Sequence, residues 1–264
     1  MWHRYYIHIF EQKLHECGYT GSLPYWEWGL DANNPHASPI FDGSDTSLGS
    51  DGAFVAGPPV TLEIPGNVNP IILAKGTGGG CVTTGPFKDM TVHLGPITQP
   101  DPTADNPRCL KRDLNADSGK RFASFRNTTD LITGSPNIEI FRTTMEGDAR
   151  YVPDSLGVHG GGHFMIGGDP GSDAFISSGD PAFYLHHGQI DRVYWIWQML
   201  DFPNRQVCVP CCPRCGVRVM RLTGNHRASL APTSCLTLFP PPTRPSRTWL
   251  TCRPSPLLSR SRIS

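Results

Sequence analysis

Every acidic residue of this chain, 23 Asp and Glu in all, lies before Phe202, while residues 202–264 carry ten Arg, no Lys and no acid. From Cys208 onward the sequence is largely Arg, Pro, Ser and Thr with six of the nine cysteines, and few apolar positions recur at helical or strand spacing. A core cannot be built from such a stretch, so folding is confined to residues 1–206. Residues 207–264 read as a disordered or mis-translated tail, because Arg without Lys amid Pro and Ser is what GC-rich non-coding sequence encodes. Two other readings of the tail fit less well. Cys-x-x-Cys at 208/211 and 212/215 has zinc spacing, but the adjacent Cys211 and Cys212 and the intervening prolines oppose a tetrahedral site. A basic arm for nucleic acid would interleave aromatic residues and use Lys as well, so no nucleic-acid partner is expected.

The 28 Gly and 26 Pro make about a fifth of the chain, which excludes long helical repeats and coiled coils. No run of about 18 apolar residues occurs, so neither a membrane-spanning helix nor a membrane partner is expected. The opening Met1-Trp2-His3-Arg4-Tyr5 has no apolar signal region, so the chain is either cytosolic or lacks its true beginning.

Apolar residues at Trp2, Tyr6, Ile9, Phe10, Leu14 and Cys17, spaced by three and four, predict an amphipathic helix that Gly18 stops. Pro24-Tyr25-Trp26-Glu27-Trp28 then opens a Gly/Pro/Asn-rich passage whose aromatic density suggests a packed loop. Short apolar runs fill residues 59–118. Gly76-Thr77-Gly78-Gly79-Gly80 has neither the third fingerprint glycine nor the following helix of a dinucleotide site. Cys81 and Cys109 are able to pair in an oxidising compartment, although sequence leaves the connectivity open. A mixed helical stretch covers 119–150 and contains a glycosylation tripeptide at Asn127.

Most chemistry is concentrated after residue 158. His159 and His163 are four apart, so on a helix both rings leave one face and can hold one metal ion. Gly160, Gly161 and Gly162 lie between them, each costing a helix roughly 1 kcal/mol against Ala. That cost suits a place where backbone must approach something closely. Asp180 as N-cap and Pro181 at the first helical position start a second helix to about Leu200, which brings His187 as a third imidazole. An all-nitrogen set favours copper or zinc over magnesium or calcium. Asp191, one turn beyond His187, is expected to fix Arg192 or an imidazole N–H, and Phe183, one turn before it, to pack in the core or beside a ligand ring.

These residues carry a resemblance. His159-x3-His163, then Asp180-Pro181-x-Phe183-x-x-His186-His187-x3-Asp191, resembles the second copper signature of the tyrosinase and catechol oxidase family. Trp2-His3-Arg4-Tyr5 with Pro24-Tyr25-Trp26-Glu27-Trp28 resembles the first copper block, and the segments around Cys81–Pro86 and Pro107–Leu110 resemble the middle of its fungal branch. Covering residues 2–206, the resemblance implies a mainly α fold, a four-helix copper-binding core with long irregular loops. It implies that His159, His163 and His187 hold the second copper, that His3 is the last of three ligands for the first, and that His186 is not a ligand. It also implies O2 and a phenolic small molecule as partners, and oxidation of ortho-diphenols to ortho-quinones.

The family's other two first-copper histidines belong upstream of His3, so the chain is expected to be truncated within that motif and to have little or no oxidase activity. Thr144-Met145-Glu146-Gly147 resembles the glutamate element that, with an asparagine after the first histidine of the second copper, holds a water for monophenol hydroxylation. Gly160 stands at the asparagine position, so diphenol oxidation should dominate. Phe175 resembles in position a bulky gate residue, or is an ordinary loop aromatic. Two other classes compete: a hemocyanin-like O2-binding protein, and a mononuclear zinc hydrolase using His159, His163 and His187 with Glu146 as base. Secretion of an intact parent is compatible with the tripeptide and the Cys81/Cys109 pair, and the compartment is left open.

Overall fold

The computed structural model describes residues 2–205, and the basic, cysteine-rich stretch beyond lies outside the described residues. Contacts divide the chain into one unit of Met1–Ile9 with Ser22–Val209 and a second that includes Phe10–Gly21. Helix α1, Trp2–Glu16, ends one residue before the predicted Cys17, with the amide of Gly18 donating to His15 O at 2.9 Å. A short α2, Trp28–Asp31, follows the aromatic loop. The Gly/Pro-rich middle supplies six short strands, β1 Gly52–Phe54, β2 Val60–Leu62, β3 Ile71–Leu73, β4 Gly79–Val82, β5 Thr91–Val92 and β6 Arg108–Cys109. They pair antiparallel as β1 with β4, β2 with β3 and β5 with β6. Cys81 of β4 and Cys109 of β6 form a disulfide across 28 residues.

Helices fill the rest, so the fold is mainly α: α3 Ala116–Phe122, α4 Phe125–Gly134, α5 Ile138–Glu146, α6 Gly157–Ile166, α7 Ala182–Met199 and α8 Phe202–Arg205. Local sequence explains their ends. Asn115 caps α3, Ser124 and Asn127 form a reciprocal capping box on α4, and Asn137 caps α5. The amide of the Asn127 tripeptide is thus occupied in a helix start, its Nδ2 also donating to Arg121 O at 3.1 Å.

Helix α7 starts at Ala182, one residue later than predicted, with Pro181 at its N-cap. Pro181 has helical angles, and the Asp180 carboxylate accepts from the amide of Ala182 at 2.8 Å. The same carboxylate takes a two-pronged ion pair from Arg112, at 2.9 and 2.7 Å, with both side chains fully buried. Arg112 Nη1 also donates to the carbonyls of Leu48, Gly49 and Ser50, so the start of α7 is tied to the loop before β1. Trp26, Trp28, Phe41, Leu131, Phe141, Met165, Val193 and Trp197 share one buried core, each large side chain contributing roughly 1.5–3 kcal/mol by burial.

Two glycines with left-handed backbone join α5 to α6. At Gly157 (φ 59°) an added Cβ would lie 2.1 Å from Met145 O, and at Gly147 (φ 69°) 2.4 Å from the carbonyl carbon of Leu156. Only glycine permits this backbone-to-backbone contact, which sets the last residue of α5, Glu146, against the first turns of α6.

Candidate metal centre

The three-glycine stretch has a packing explanation at two of its three positions. A Cβ on Gly161 would fall 2.6 Å from Phe122 Cβ, and one on Gly162 would fall 2.3 Å from Cε1 of His186. Helix α6 is therefore bare where α3 and the His186 ring press on it. Gly160 differs, since a Cβ there meets only the Leu156 side chain, nearest at 3.1 Å.

The rings of His159 and His163 on α6 and of His186 and His187 on α7 converge, with one ring nitrogen from each within 4.8 Å of the others. What stands behind each ring decides which nitrogen carries the proton. His159 Nδ1 donates to the Glu146 carboxylate at 2.6 Å, and His163 Nδ1 donates to the carbonyl of Gly171 at 3.1 Å. Both rings therefore present the Nε2 lone pair inward, the arrangement in which imidazoles bind metals. His159 Nε2 is buried with no hydrogen-bond partner. His163 Nε2 and His187 Nε2 lie 3.2 Å apart. Two nitrogens bound at 2.0–2.1 Å to one tetrahedral ion are separated by about 3.3 Å, so this pair is spaced to share a metal. By orphaned lone pair, spacing and donor chemistry, the trio fits a copper ion.

Phe183 packs on His187 with ring centroids 4.0 Å apart and lies edge-on to His3 at 5.7 Å, so it lines the rings as well as the interior. His3, on α1, has its ring 4.3 Å from that of His187 and 6.1 Å from that of His159. Asp191 departs from expectation: it pairs neither with Arg192 nor with an imidazole, but with Arg4 of the Trp-His-Arg segment at 2.9 Å. Arg192 turns instead to Glu27 at 2.8 Å, because one helical step rotates it toward the aromatic loop. Phe175 is 76% exposed in the loop before α7 and does not join the ring cluster.

Burial, followed by the charge of His159, lowers the pKa of His163 to about 3. His187 and His186 are lowered by burial and then by neighbouring imidazoles, and His3 by burial and then His159. These rings are neutral at neutral pH, the state metal binding needs. At Glu146 burial acts upward, but the His159 hydrogen bond and the charges of His159, His3 and Arg142 outweigh it and hold the carboxyl below its usual value. Beside the rings opens a pocket of about 120 Å³, walled by Phe141, Met145 and Ile190 and bordered by Glu146 and His159.

Sequence reasoning missed Trp28. Its indole N–H, fully buried, donates to His186 Nδ1 at 3.1 Å. The aromatic run at 24–28 marked the loop as packed, but nothing in it pointed at a histidine 158 residues away. Glu27 of the same loop accepts from Gln189 and Arg192, and the amide of Trp26 donates to Leu185 O, so the loop clasps α7 along one edge.

Fold and site together define a helical protein in which imidazoles from two helices, α6 and α7, converge closely enough to hold a metal ion. The family model for the common central domain of tyrosinase matches residues 1–200. The chain belongs to the tyrosinase family. It is 42% identical over 220 residues to tyrosinase P of Aspergillus terreus, covering 78% of this chain and 59% of that protein. To the N-acetyl-6-hydroxytryptophan oxidase ivoB of Emericella nidulans it is 38% identical over 221 residues, covering 75% and 57%. Among solved structures, a G292N mutant of polyphenol oxidase from Thermothelomyces thermophila matches with a TM-score of 0.68 and 45% identity, over 75% of this chain and 53% of that one. The chain thus spans less than two thirds of the length of these relatives.

Proposed function

We propose that this chain carries the second-copper half of an oxidase that converts ortho-diphenols to ortho-quinones, two diphenols and one O2 giving two quinones and two waters. The observation that carries the reading is the inward trio of His159, His163 and His187 with hydrogen-bond acceptors fixed behind His159 and His163. Copper, when bound, supplies the one-electron steps that link the phenol to O2. The protein's part is to hold the imidazoles neutral and aimed, with Phe183 against the His187 ring. The apolar wall of Phe141, Met145 and Ile190 leaves room for a single aromatic ring beside them.

Hydroxylating a monophenol also requires that a phenolic proton be removed, near pKa 10 for a tyrosine-like substrate. Glu146 is committed to His159 Nδ1, and Gly160 has no side chain to share a water with it. Diphenol oxidation therefore exceeds monophenol hydroxylation in this reading. In the 264-residue chain His3 is the one described histidine that matches the first copper, and a single imidazole does not retain a metal. The chain as given binds one copper and turns over diphenols little or not at all.

The test is elemental analysis of the purified 264-residue chain after dialysis against mixed copper and zinc, with O2 uptake on catechol and on tyrosine. One copper per chain, lost in the His159→Ala and His163→Ala variants, with background O2 uptake, is expected. Retention of zinc in its place, or two coppers with brisk uptake, overturns the reading.

A further inference from the structure

The two α6 ligands are backed by acceptors of different kinds. Glu146, behind His159, ends helix α5 and is seated by the glycine contacts between α5 and α6. Behind His163 stands a backbone carbonyl in a turn, Gly171 O, 3.1 Å from Nδ1. A carbonyl has no rotamer of its own, so it is aimed only as well as its turn is held. The hold comes from residues 108–111. The amide of Lys111 donates to Asp169 O at 2.9 Å, and the amide of Asp169 donates back to Lys111 O at 3.1 Å. Arg108 grips the Asp169 carboxylate with two hydrogen bonds, from Nε at 2.5 Å and from Nη2 at 2.7 Å. The guanidinium is itself fixed, because Nη1 donates to Asn106 O at 3.1 Å and Nη2 to Leu94 O at 2.8 Å. The next residue, Cys109, is bonded to Cys81 of β4. Asp169 is two residues before Gly171, where an added Cβ would lie 2.6 Å from Gly167 O, so the turn folds tightly back on the end of α6.

We propose that Arg108 is a positioning residue for the metal centre, acting through Asp169 to hold the Gly171 carbonyl where it orients the His163 ring. This rests on the metal reading given above. Without the guanidinium, the turn at 169–171 keeps its two backbone bonds to Lys111 but loses the fork that fixes its rotation. The carbonyl then drifts from the ring, and His163 meets the metal ion in a spread of orientations. Loss of such an outer partner weakens metal binding about 10–100-fold, and Arg108, one step further out, is expected at the lower end. His159 and His187 have no part in this connection and keep their places.

The test uses the full 264-residue chain as wild type, Arg108→Gln, Asp169→Asn and the double variant. Cu(II) affinity is measured by competition with a chelator, and bound imidazoles are read from nitrogen couplings in pulsed electron paramagnetic resonance. Each single variant should bind copper about 10-fold more weakly, with one of the three nitrogen couplings altered and two unchanged. The double variant should lose no more than either single one, because both break the same link. Hydrogen exchange on the metal-free proteins is an arm that needs no copper. The amides of Asp169, Ser172 and Asp173, bonded to the carbonyls of Lys111, Gly168 and Pro170, should exchange faster in Arg108→Gln, while those of α7 do not change. Wild-type affinity and couplings in Arg108→Gln, with or without a lower urea midpoint, would mark a purely structural pair and overturn the proposal. Losses that add in the double variant, or unchanged exchange at 169–173, overturn it as well. Failure of the wild type to retain copper overturns the metal reading instead, and the exchange arm still decides whether Arg108 holds the turn.

Discussion

Replacing Asp180 by Asn removes one charge from the fully buried Arg112–Asp180 pair while leaving a side chain of the same shape, and Asn caps helices as well as Asp does. The contact to the Ala182 amide survives through Oδ1, while the new amide nitrogen replaces the oxygen that accepts from Arg112 Nε, so the variant removes the charge together with one of its two hydrogen bonds. Arg112 is then left as a guanidinium without its counter-ion, a change that costs about 3–5 kcal/mol when one partner of a buried pair is lost. With a urea dependence of about 2.5 kcal/mol per molar, the unfolding midpoint should fall by about 1.2–2 M with the slope unchanged. Asp169→Asn gives the comparison. Arg108 and Asp169 are also joined by two hydrogen bonds, but their side chains are 14% and 25% exposed, and water replaces much of what is lost. Its midpoint should move by about 0.4–0.8 M, for a cost of about 1–2 kcal/mol. Circular dichroism during urea titration reads both. A drop for Asp180→Asn no larger than that of Asp169→Asn would refute the claim that a buried charge pair fastens α7.

Removing the Cys81–Cys109 disulfide with a double Ser variant should cost about 3–4 kcal/mol, the loop-closure value for 28 residues, read as a lower urea midpoint equal to that of the reduced wild type. Gly162→Ala should lower copper retention, because its Cβ would force α6, which carries His159 and His163, off the His186 ring of α7, whereas Gly160→Ala should retain copper as the wild type does, and both are read by elemental analysis. The pH dependence follows from His163, whose folded pKa of about 3 lies below its unfolded value near 6.5. Between these values the unfolded chain binds a proton that the folded chain refuses, so stability falls as pH drops from 6.5 toward 3, by up to about 1.4 kcal/mol per pH unit for this ring alone. His186 and His187, lowered in the same direction, steepen the loss, and bound copper should oppose it. Urea midpoints at pH 8, 6 and 5 check the sign.

The parts of the molecule legible in its sequence are those where one short segment contains the whole physical cause. Asp180-Pro181 announces the start of α7, Gly18 the end of α1, and the His159/His163 spacing its shared face, because each depends on neighbours within a turn. The glycines at 161 and 162 were legible as a cost, but the Phe122 and His186 that justify them arrive from α3 and α7. Asp191 shows the same limit. From sequence its partner is the adjacent Arg192, and in the structure it is Arg4, brought in on α1. Trp28 on His186 and Arg112 on Asp180 span 158 and 68 residues, and no local pattern encodes such pairs.

The Arg4–Asp191 link has a mechanical consequence. His187 and Asp191 lie one turn apart on the same face of α7, and Asp191 grips the residue next to His3. A small slide or twist of α7 carries His187 and the anchor of the His3 segment together, so the spacing between those two rings is insulated from movement of the helix that sets it. α7 serves as a common datum for the His187 ring and the segment that carries the His3 ring, and errors in its placement are shared by both rather than opened as a gap between them.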